Sequence, residues 1–422
     1  MVELEQSSGK RLSEVEQWPT QIGIYDETDR LRTVVTWGPV GAEAVLAQLF
    51  PPEISLFHDN MDVLKARRET LAFASALESK GVTVIRARNS LAQLLPQKHL
   101  DRGRVQDALL AKLHEIAAKH RPAISQDGIR RHEDTIVELL EDDIKLHGKE
   151  QALGLNSVLC LASRLPLGNS LYARDQMNVL LGRRVQATMA KPIRKPEVSL
   201  YDLVYKKTLG IDTHIRIPRR SREDEETFEG GDAYVHNGIV YVGVGSRTTM
   251  QAAMHIYREL KPELEERGFK FAIVVDPDKD RPFRDQMDFM HLDTFSMPLG
   301  KDQILVCEEE AKRRGVFYLE ARDGGIMAVN TQQSFLSHLQ ERGEKIVSIP
   351  RAEQKNFGAN LLAIDAGTVI VPLDPLNANT FTIQALKNAG KQVEHVDLGE
   401  CTKGYGAAHC MTGQLLRANQ VA

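Results

Sequence analysis

The sequence predicts an α/β protein in which five similar ββαβ units close around an axis, with a helical module added to them. Two observations lead to this prediction. Helical stretches repeatedly end at a glycine and run directly into a strand-like segment, and two short apolar runs precede each of them. Five units that each bury one face against a neighbour favour a closed ring over an open sheet.

The helix–glycine–strand segments follow one another along the chain. They are ALESKGVTVIRA, KTLGIDTHIRIP, ELEERGFKFAIVV, LQERGEKIVSIP and ALKNAGKQVEHVDL. The segments that indicate strand pairs are LRTVVTWG, MNVLLGRRVQATMA, AYVHNGIVYVGVG, FSMPLGKDQILVC and NLLAIDAGTVIVP. In the third, Asn237-Gly238 stands between alternating apolar residues, and this dipeptide favours a type I′ turn because both central positions need positive φ.

One stretch departs from this repeat. Residues 91–167 carry apolar residues at intervals of three and four, which is typical of amphipathic helices. We therefore expect a helical insertion in the first unit, inside a single domain that spans residues 1–422.

Composition restricts the class of partner that we expect for this protein. A formal charge of −4 with 27% charged residues argues against nucleic acid or an anionic membrane as the main partner, which leaves a small molecule. The start of the chain, MVELEQSSGKRLSEVEQ, lacks an apolar signal region, and no later stretch approaches the roughly 18 apolar residues of a membrane span, so we expect a cytoplasmic protein. The four cysteines have no disulfide-scaffold spacing, and we expect free thiols.

Reactive side chains recur just ahead of the first strand of the predicted units. They are Asp175 in RDQMN, Glu229 and Asp232 in FEGGD, His291 and Asp293 in HLDTF, and Asn360 in NFGAN. Cys410 is expected after the last strand. In a closed ring these positions meet near the axis, which predicts one shared site.

The residue types in this predicted site suggest a reaction. Clustered carboxylates attract a cation, and a planar guanidinium can satisfy two of them through forked N–H bonds. The central carbon of a guanidinium is a poor electrophile, so its attack calls for a thiolate, here from Cys410. His291 is suited to protonate the leaving nitrogen and later to deprotonate water.

Taken singly, each motif has a plainer interpretation. Asp175 beside Arg174 could be an exposed ion pair, EGGD a turn, and His291 a surface or core histidine. Arg194 and Arg247 would alone be solvated cations. GVGSRTT lacks the complete glycine signature of a dinucleotide site. The shared position of the acids, the histidine and the cysteine favours the catalytic interpretation.

Several stretches together resemble the guanidine-modifying superfamily, and within it the arginine deiminase family. They are RDQMNVLLGRRVQATMAKPIRKPE, FEGGD, VGVGSRTT, HLDTFSMPL, NFGANLLAI and HCMTGQLLR. The resemblance implies a five-bladed α/β propeller, the pentein fold. It also implies hydrolysis of L-arginine to L-citrulline and ammonia through a thiouronium-type intermediate, with no metal or organic cofactor.

The resemblance also implies a role for each site residue. Cys410 matches the nucleophile, His291 the acid/base, Asp175 and Asp293 the guanidinium-binding aspartates, Glu229 the glutamate that orients the histidine, Arg194 and Arg247 the arginines that hold the substrate carboxylate, and Asn360 a contact to the amino-acid end. Asp232 is expected among the substrate-binding residues.

The loop before Cys410 departs from the family pattern. Tyr405 stands where a loop arginine is expected, and His409 rather than arginine precedes Cys410. Lys403 is a candidate to replace the missing cation. His-Cys is typical of amidinotransferases and agmatine deiminases, so three alternatives stay open: amidino transfer to an amine, deimination of an arginine derivative, and arginine binding without catalysis. A homo-oligomer also stays open.

Overall fold

The computed structural model describes residues 22–418 except 96–98, 163, 219–225, 279, 323–324 and 374–378. The sequence prediction about the first residues of the chain lies outside this range. The strands are β1 (Arg30–Thr36), β2 (Thr83–Arg86), β3 (Met177–Leu180), β4 (Arg183–Gln186), β5 (Ile215–Arg216), β6 (Ala233–His236), β7 (Ile239–Val244), β8 (Lys270–Val275), β9 (Ser296–Gly300), β10 (Gln303–Val306), β11 (Gly315–Arg322), β12 (Gly325–Ser334), β13 (Lys345–Ser348), β14 (Leu362–Ala363), β15 (Thr368–Leu373), β16 (Gln392–Asp397) and β17 (Gly413–Ala418).

The α-helices connect the strands. They are α1 (Ala42–Ala47), α2 (Pro52–Ser55), α3 (Val63–Ser79), α4 (Ala87–Leu94), α5 (Arg102–His120), α6 (Gln126–His147), α7 (Lys149–Asn156), α8 (Lys195–Lys207), α9 (Met250–Arg267), α10 (Phe283–Asp288), α11 (Glu308–Arg313), α12 (Phe335–Glu341), α13 (Arg351–Lys355) and α14 (Thr380–Asn388). Among the described residues, no helix is both long enough and apolar enough to cross a bilayer.

Five sheets confirm the five predicted ββαβ units. Each contains an antiparallel strand pair followed by a strand parallel to the second member of the pair. The units, in order around the chain, are β17-β1-β2, β3-β4-β5, β6-β7-β8, β9-β10-β13 and β14-β15-β16. The parallel strand is reached through a helical connection, as parallel pairing requires.

The predicted turn and the predicted helix-ending glycines are also confirmed. Asn237 and Gly238 have φ of 48° and 75°, as a type I′ turn between β6 and β7 requires. The glycines at the five helix-to-strand junctions all have positive φ: Gly81, Gly210, Gly268, Gly343 and Gly390. Gly268, for example, ends α9 in the left-handed conformation with φ of 65°.

Three details of the prediction were wrong. LRTVVTWG forms one strand, β1, and its antiparallel partner is β17 from the other end of the chain. Cys410 consequently precedes the last strand instead of following it. The helical module follows β2, so it joins the first unit to the second, and its helices begin at Ala87. The first two errors have one cause, because β1 and β17 pair from opposite ends of the chain and a local pattern cannot reveal that pairing.

The hairpin of β11 and β12 was not predicted. It leaves the fourth unit after α11 and pairs through β11 with β8, which gives the third unit a sheet of five strands. The helical module packs into a hydrophobic cluster shared with β1, β3 and α8. This continuity supports the single-domain prediction, which stays a prediction.

Candidate active site

Each of the five units supplies site residues from the segment directly before its first strand. Asp175 precedes β3, Glu229 precedes β6, Asp293 precedes β9, Asn360 precedes β14 and Cys410 precedes β17. All five residues are buried. Because β17 is the first strand of its unit in space, Cys410 occupies the same position in its unit as the four other residues in theirs.

Asn360 holds the loop that carries Cys410. Its Oδ1 accepts hydrogen bonds from the backbone N–H groups of Ala407 and Cys410 at 3.0 and 3.1 Å, and its Nδ2 donates to Cys410 Sγ at 3.1 Å and to the carbonyl of Asp293 at 3.2 Å. Its side chain is therefore engaged by the nucleophile loop, whereas the resemblance implies a contact to the amino-acid end of the substrate. That contact stays a prediction.

Asp293 lies beside the sulfur. Its Oδ2 is 3.6 Å from Cys410 Sγ and 2.7 Å from His409 Nδ1, while its Oδ1 is buried with no hydrogen-bond partner among the described residues. Burial by itself would raise the pKa of Asp293, but the hydrogen bond from His409 and the nearby positive charges hold it below the ordinary value. Asp293 is therefore an anion with one oxygen open to a donor.

His291 lies between two other carboxylates. Its Nε2 is 3.0 Å from Glu229 Oε2, and its Nδ1 is 3.6 Å from Asp175 Oδ1. Burial opposes protonation, yet Asp175 and Glu229 outweigh it and raise the pKa of His291 to about 9. The imidazole is therefore protonated at neutral pH and able to donate a proton to a leaving group.

Burial raises the pKa of the Cys410 thiol, and the charges of Asp293 and Asp175 raise it further. The backbone of Ala407 and the side chain of Asn360 act in the opposite direction. A cation bound to the two aspartates would remove the electrostatic part of this rise. The arrangement therefore couples thiolate formation to the binding of a cationic ligand.

The two predicted carboxylate-binding arginines contact the acids of the cluster. Arg194 Nη1 is 2.5 Å from Asp175 Oδ2 and its Nε is 3.0 Å from Glu197 Oε2, while Arg247 Nη1 is 3.4 Å from Glu229 Oε2. Both guanidiniums are buried. A substrate guanidinium would have to replace Arg194 on Asp175, and binding of the substrate carboxylate by either arginine stays a prediction.

Asp232 supports the segment of His291. Its Oδ1 accepts a hydrogen bond from the N–H of Leu292 at 3.1 Å, and burial raises its pKa to about 7. The predicted contact between Asp232 and the substrate stays untested. Lys403, the candidate replacement cation, pairs with Glu400 at 2.7 Å and with the carbonyl of Asn60 at 3.0 Å. Both its contacts lie in the outer loops.

Ligand atoms of Asp175, Glu229 and His291 lie within 4.8 Å of one another, a spacing that a metal ion could use. The guanidiniums of Arg194 and Arg247 already balance the two carboxylates. The donor set is therefore explained by ion pairing, and independence from metals and cofactors stays a prediction.

Comparison with known proteins identifies the family. A family model described as arginine deiminase matches residues 55–417. The chain belongs to the arginine deiminase family. The arginine deiminase of Mycoplasma capricolum is 27% identical and aligns over 94% of this chain and 97% of its own length, and that of Rhodococcus opacus is 27% identical over the same shares.

Solved structures of the superfamily share the fold. An amidinotransferase of saxitoxin biosynthesis from Microseira wollei superposes with a TM-score of 0.55 at 17% identity, over 95% of this chain and 98% of its own. The dimethylarginine dimethylaminohydrolase of Pseudomonas aeruginosa, solved with citrulline, gives 0.52 at 14% identity, over 92% and 100%. The predicted pentein fold of this arginine deiminase family member is confirmed.

Sequence reasoning missed two buried residues beside the site. Glu197 pairs with Arg194, and its position three residues later at the start of α8 was the available signal. Glu27 contacts His409 at 3.0 Å across 382 positions, and no sequence pattern connects them. Cys160, Cys307 and Cys401 are free thiols, as predicted, and all three are buried.

Proposed function

We propose that this chain hydrolyses L-arginine to L-citrulline and ammonia through a covalent adduct on Cys410. The observation that carries the proposal is the buried contact between Cys410 Sγ and Asp293, whose other oxygen has no hydrogen-bond partner among the residues that the structure describes. A sulfur nucleophile beside an open carboxylate fits a guanidinium, whose carbon it can attack while an N–H group binds the acid. Family membership supports the same reaction.

In the proposed reaction, the substrate guanidinium lies across Asp293 and Asp175 and lowers the pKa of Cys410 by its positive charge. The thiol releases its proton to solvent as the cation binds, and the thiolate attacks the guanidinium carbon and forms a C–S bond. His291 donates its proton to one terminal nitrogen, the C–N bond breaks, and ammonia leaves. A thiouronium adduct remains on Cys410.

Hydrolysis of the adduct completes the proposed turnover. His291, now neutral, takes a proton from one water molecule, and the resulting hydroxide attacks the same carbon. The C–S bond then breaks, the proton of the added hydroxyl is released to solvent, where ammonia takes it up, and neutral citrulline leaves with the thiolate restored. Glu229 stabilises the protonated histidine through its hydrogen bond at 3.0 Å. One water is consumed for each ammonia released.

The proposal is tested with the purified protein and L-arginine, with citrulline and ammonia measured together. Enzyme quenched during turnover is digested, and the Cys410 peptide is analysed by mass spectrometry for the adduct. Cys410→Ser should abolish both products and the adduct. Cys401→Ser is the matched control, because Cys401 is equally buried but its Sγ contacts the carbonyl of Ala66 instead of Asp293.

Product analysis also separates the alternatives. His409 directly before Cys410 favours an amidinotransferase, which would convert labelled arginine and an acceptor amine into a labelled new guanidine without citrulline. A derivative-specific deiminase would release ammonia from a blocked arginine and not from arginine. If arginine binds but no ammonia or transfer product forms, the proposed activity is wrong.

The carboxylate end of the substrate can be tested through Arg194. If Arg194 leaves Asp175 to bind the α-carboxylate, Arg194→Lys should raise KM for arginine by about tenfold, because a bidentate ion pair is lost. Agmatine lacks that carboxylate, so its KM should change much less. An equal rise for both substrates would assign Arg194 to the cluster of acids alone.

A further inference from the structure

We propose that His409 is a positioning residue that fixes Asp293 beside Cys410 by donating hydrogen bonds to Asp293 and Glu27 at once. The inference rests on the proposed function, because Asp293 is taken there as a guanidinium-binding residue. It concerns the histidine that departs from the family pattern in the loop before the nucleophile.

The imidazole of His409 is completely buried between two carboxylates. Its Nδ1 is 2.7 Å from Asp293 Oδ2 and its Nε2 is 3.0 Å from Glu27 Oε1. An ionised carboxylate only accepts hydrogen bonds, so both ring nitrogens must carry a proton to make both contacts. The geometry therefore points to a donated hydrogen bond from each ring nitrogen.

Glu27 is itself held on several sides. Arg174 Nη2 and Arg417 Nη2 lie 3.7 and 3.6 Å from its carboxylate, and Gln414 donates to it. Its backbone N–H donates to the carbonyl of Val235 at 2.7 Å. The arginines hold the pKa of Glu27 well below its usual range against the effect of burial. Glu27 is thus a fixed anion against which the ring of His409 is oriented.

The hydrogen bond from His409 determines which oxygen of Asp293 is available to the substrate. Its Oδ2 is committed to His409, which leaves the buried and unpartnered Oδ1 for a substrate N–H. Without His409, Asp293 could rotate, and its charge would lack a hydrogen-bonded cation in a dry environment. Among the described residues the ring of His409 makes its hydrogen bonds to Asp293 and Glu27 and none to Sγ, so it acts on the site through Asp293. His409 is therefore a positioning residue and not a catalytic residue.

Two substitutions separate the two hydrogen bonds. In His409→Asn the amide nitrogen lies near the position of Nδ1 and can donate to Asp293, whereas in His409→Gln it lies near Nε2 and can donate only to Glu27. We expect His409→Gln to lower kcat/KM for arginine by about tenfold to hundredfold, mainly through KM. The kcat/KM of His409→Asn should stay within about threefold of that of the unmodified protein, because this variant keeps the hydrogen bond to Asp293, which contributes most to the positioning.

A buried histidine elsewhere provides the matched control. His338 in α12 is 3% exposed and contacts Tyr241 Oη at 3.2 Å, with no carboxylate in hydrogen-bond contact. His338→Gln should lower the melting temperature without a change in KM. Equal kinetic loss in both His409 variants, no loss in either, or a loss confined to His409→Asn would each overturn the positioning role.

Two further measurements keep the test independent of folding and of turnover. In unmodified protein labelled with 15N-histidine, the His409 ring should show two protonated nitrogens, and a single protonated nitrogen would overturn the proposal. Arginine affinity measured by calorimetry on Cys410→Ala should fall at least about tenfold when His409→Gln is added. If the unmodified protein fails to convert arginine, the proposed function fails, whereas normal conversion with unaltered His409 variants defeats only the positioning role.

Discussion

The sulfur of Cys410 shows how a single residue depends on its surroundings. Burial and two aspartates raise the pKa of the thiol, so at neutral pH the free protein carries a protonated cysteine. The same aspartates attract the cationic substrate, whose charge favours the thiolate. Substrate binding and nucleophile activation are therefore one electrostatic event in the proposed mechanism.

This dependence predicts the alkylation behaviour of Cys410. Modification by iodoacetamide should be slow at pH 7 and accelerate continuously above pH 9, because the thiolate fraction grows as pH approaches a raised pKa. Arginine should slow the reaction by occupying the site. Rates are measured by mass spectrometry of the Cys410 peptide, with the Cys401 peptide as an internal control. A rate that is flat from pH 6 to 10 would contradict the prediction.

At the residue scale the sequence predicted the members of the site better than their contacts. Asp175, Glu229 and His291 share a position ahead of a strand, and that regularity is visible in the chain. The equivalent position of Cys410 ahead of β17 became visible only in the structure. The pairing of His409 with Glu27 depends on how the first and last segments meet in space. Its consequence for Asp293 could therefore be found only in the structure.

At the scale of elements, the short turn Gly230–Asp232 brings the second and fourth units into contact. A Cβ atom on Gly231 would lie 2.6 Å from His291 Nδ1 and 3.0 Å from Asp175 Oδ1. The first distance is too short for a carbon atom and the second is tighter than an ordinary contact, while the buried ring of His291 is held by its hydrogen bond to Glu229. Gly231, the second glycine in FEGGD, is thus required because the side chain of His291 approaches it so closely.

Gly231→Ala should accordingly reduce kcat by about a hundredfold or more, because a displacement near 1 Å of a catalytic group has that effect. Gly154→Ala is the control: in α7 its Cβ would meet Leu95 at an ordinary 3.7 Å, and alanine favours a helix. Citrulline formation and melting temperature are measured for both. Normal turnover by Gly231→Ala would show that His291 is not held at this distance.

The helical module is joined to the first unit by a buried ion network. Arg88 in α4 lies 2.6 Å from Asp143 in α6 and 3.2 Å from Glu43 in α1, and none of the three is exposed. The apolar periodicity of residues 91–167 predicted these helices. It could not predict the network, because Arg88, Glu43 and Asp143 look like ordinary surface charges in the sequence.

Arg88→Met should destabilise the protein by about 3–5 kcal/mol, since it leaves the buried carboxylate of Glu43 without its cation and leaves Asp143 with Arg67 alone. Arg102→Met removes the exposed pair with Glu141 in the same module and should change stability by less than about 1 kcal/mol. Urea unfolding at pH 7 measures both. Equal effects for the two variants would mean that Arg88 does not join the module to the ring.

For the whole molecule, the repeat of strand pairs and helix-ending glycines predicted five units, yet two features of their assembly were hidden. The ring closes through β17 and β1, which lie at opposite ends of the chain. The β11–β12 hairpin crosses from the fourth unit to the sheet of the third. Both are long-range pairings between segments that carry ordinary strand patterns, so periodicity alone could not assign their partners.

A second buried histidine joins three units of the ring. His236 at the end of β6 has its Nδ1 3.7 Å from Asp26, which precedes β1, and its Nε2 3.2 Å from Glu344, which precedes β13. Burial alone would lower the pKa of His236, but the two carboxylates outweigh it and raise the pKa to about 9. The protonated imidazole of His236 therefore stabilises the folded arrangement of the units.

The pH dependence of stability follows from this shift. An unfolded histidine titrates near 6.5, so the contribution of His236 is fully present below that pH and disappears as pH rises through about 9. His236→Gln should remove about 2 kcal/mol of stability at pH 6 and much less at pH 9.5.

Two other histidines serve as controls for this prediction. His291 also has a pKa raised to about 9, but the unmodified protein and His236→Gln both retain His291, so the difference between their stabilities isolates His236. His338→Gln should leave the slope unchanged above about pH 7.5, because burial lowers the pKa of His338 to about 4 and this histidine is neutral there in both the folded and the unfolded state. Urea unfolding from pH 6 to 9.5 decides the matter, since parallel curves for the unmodified protein and His236→Gln would mean that this histidine does not carry the charge that joins the three units.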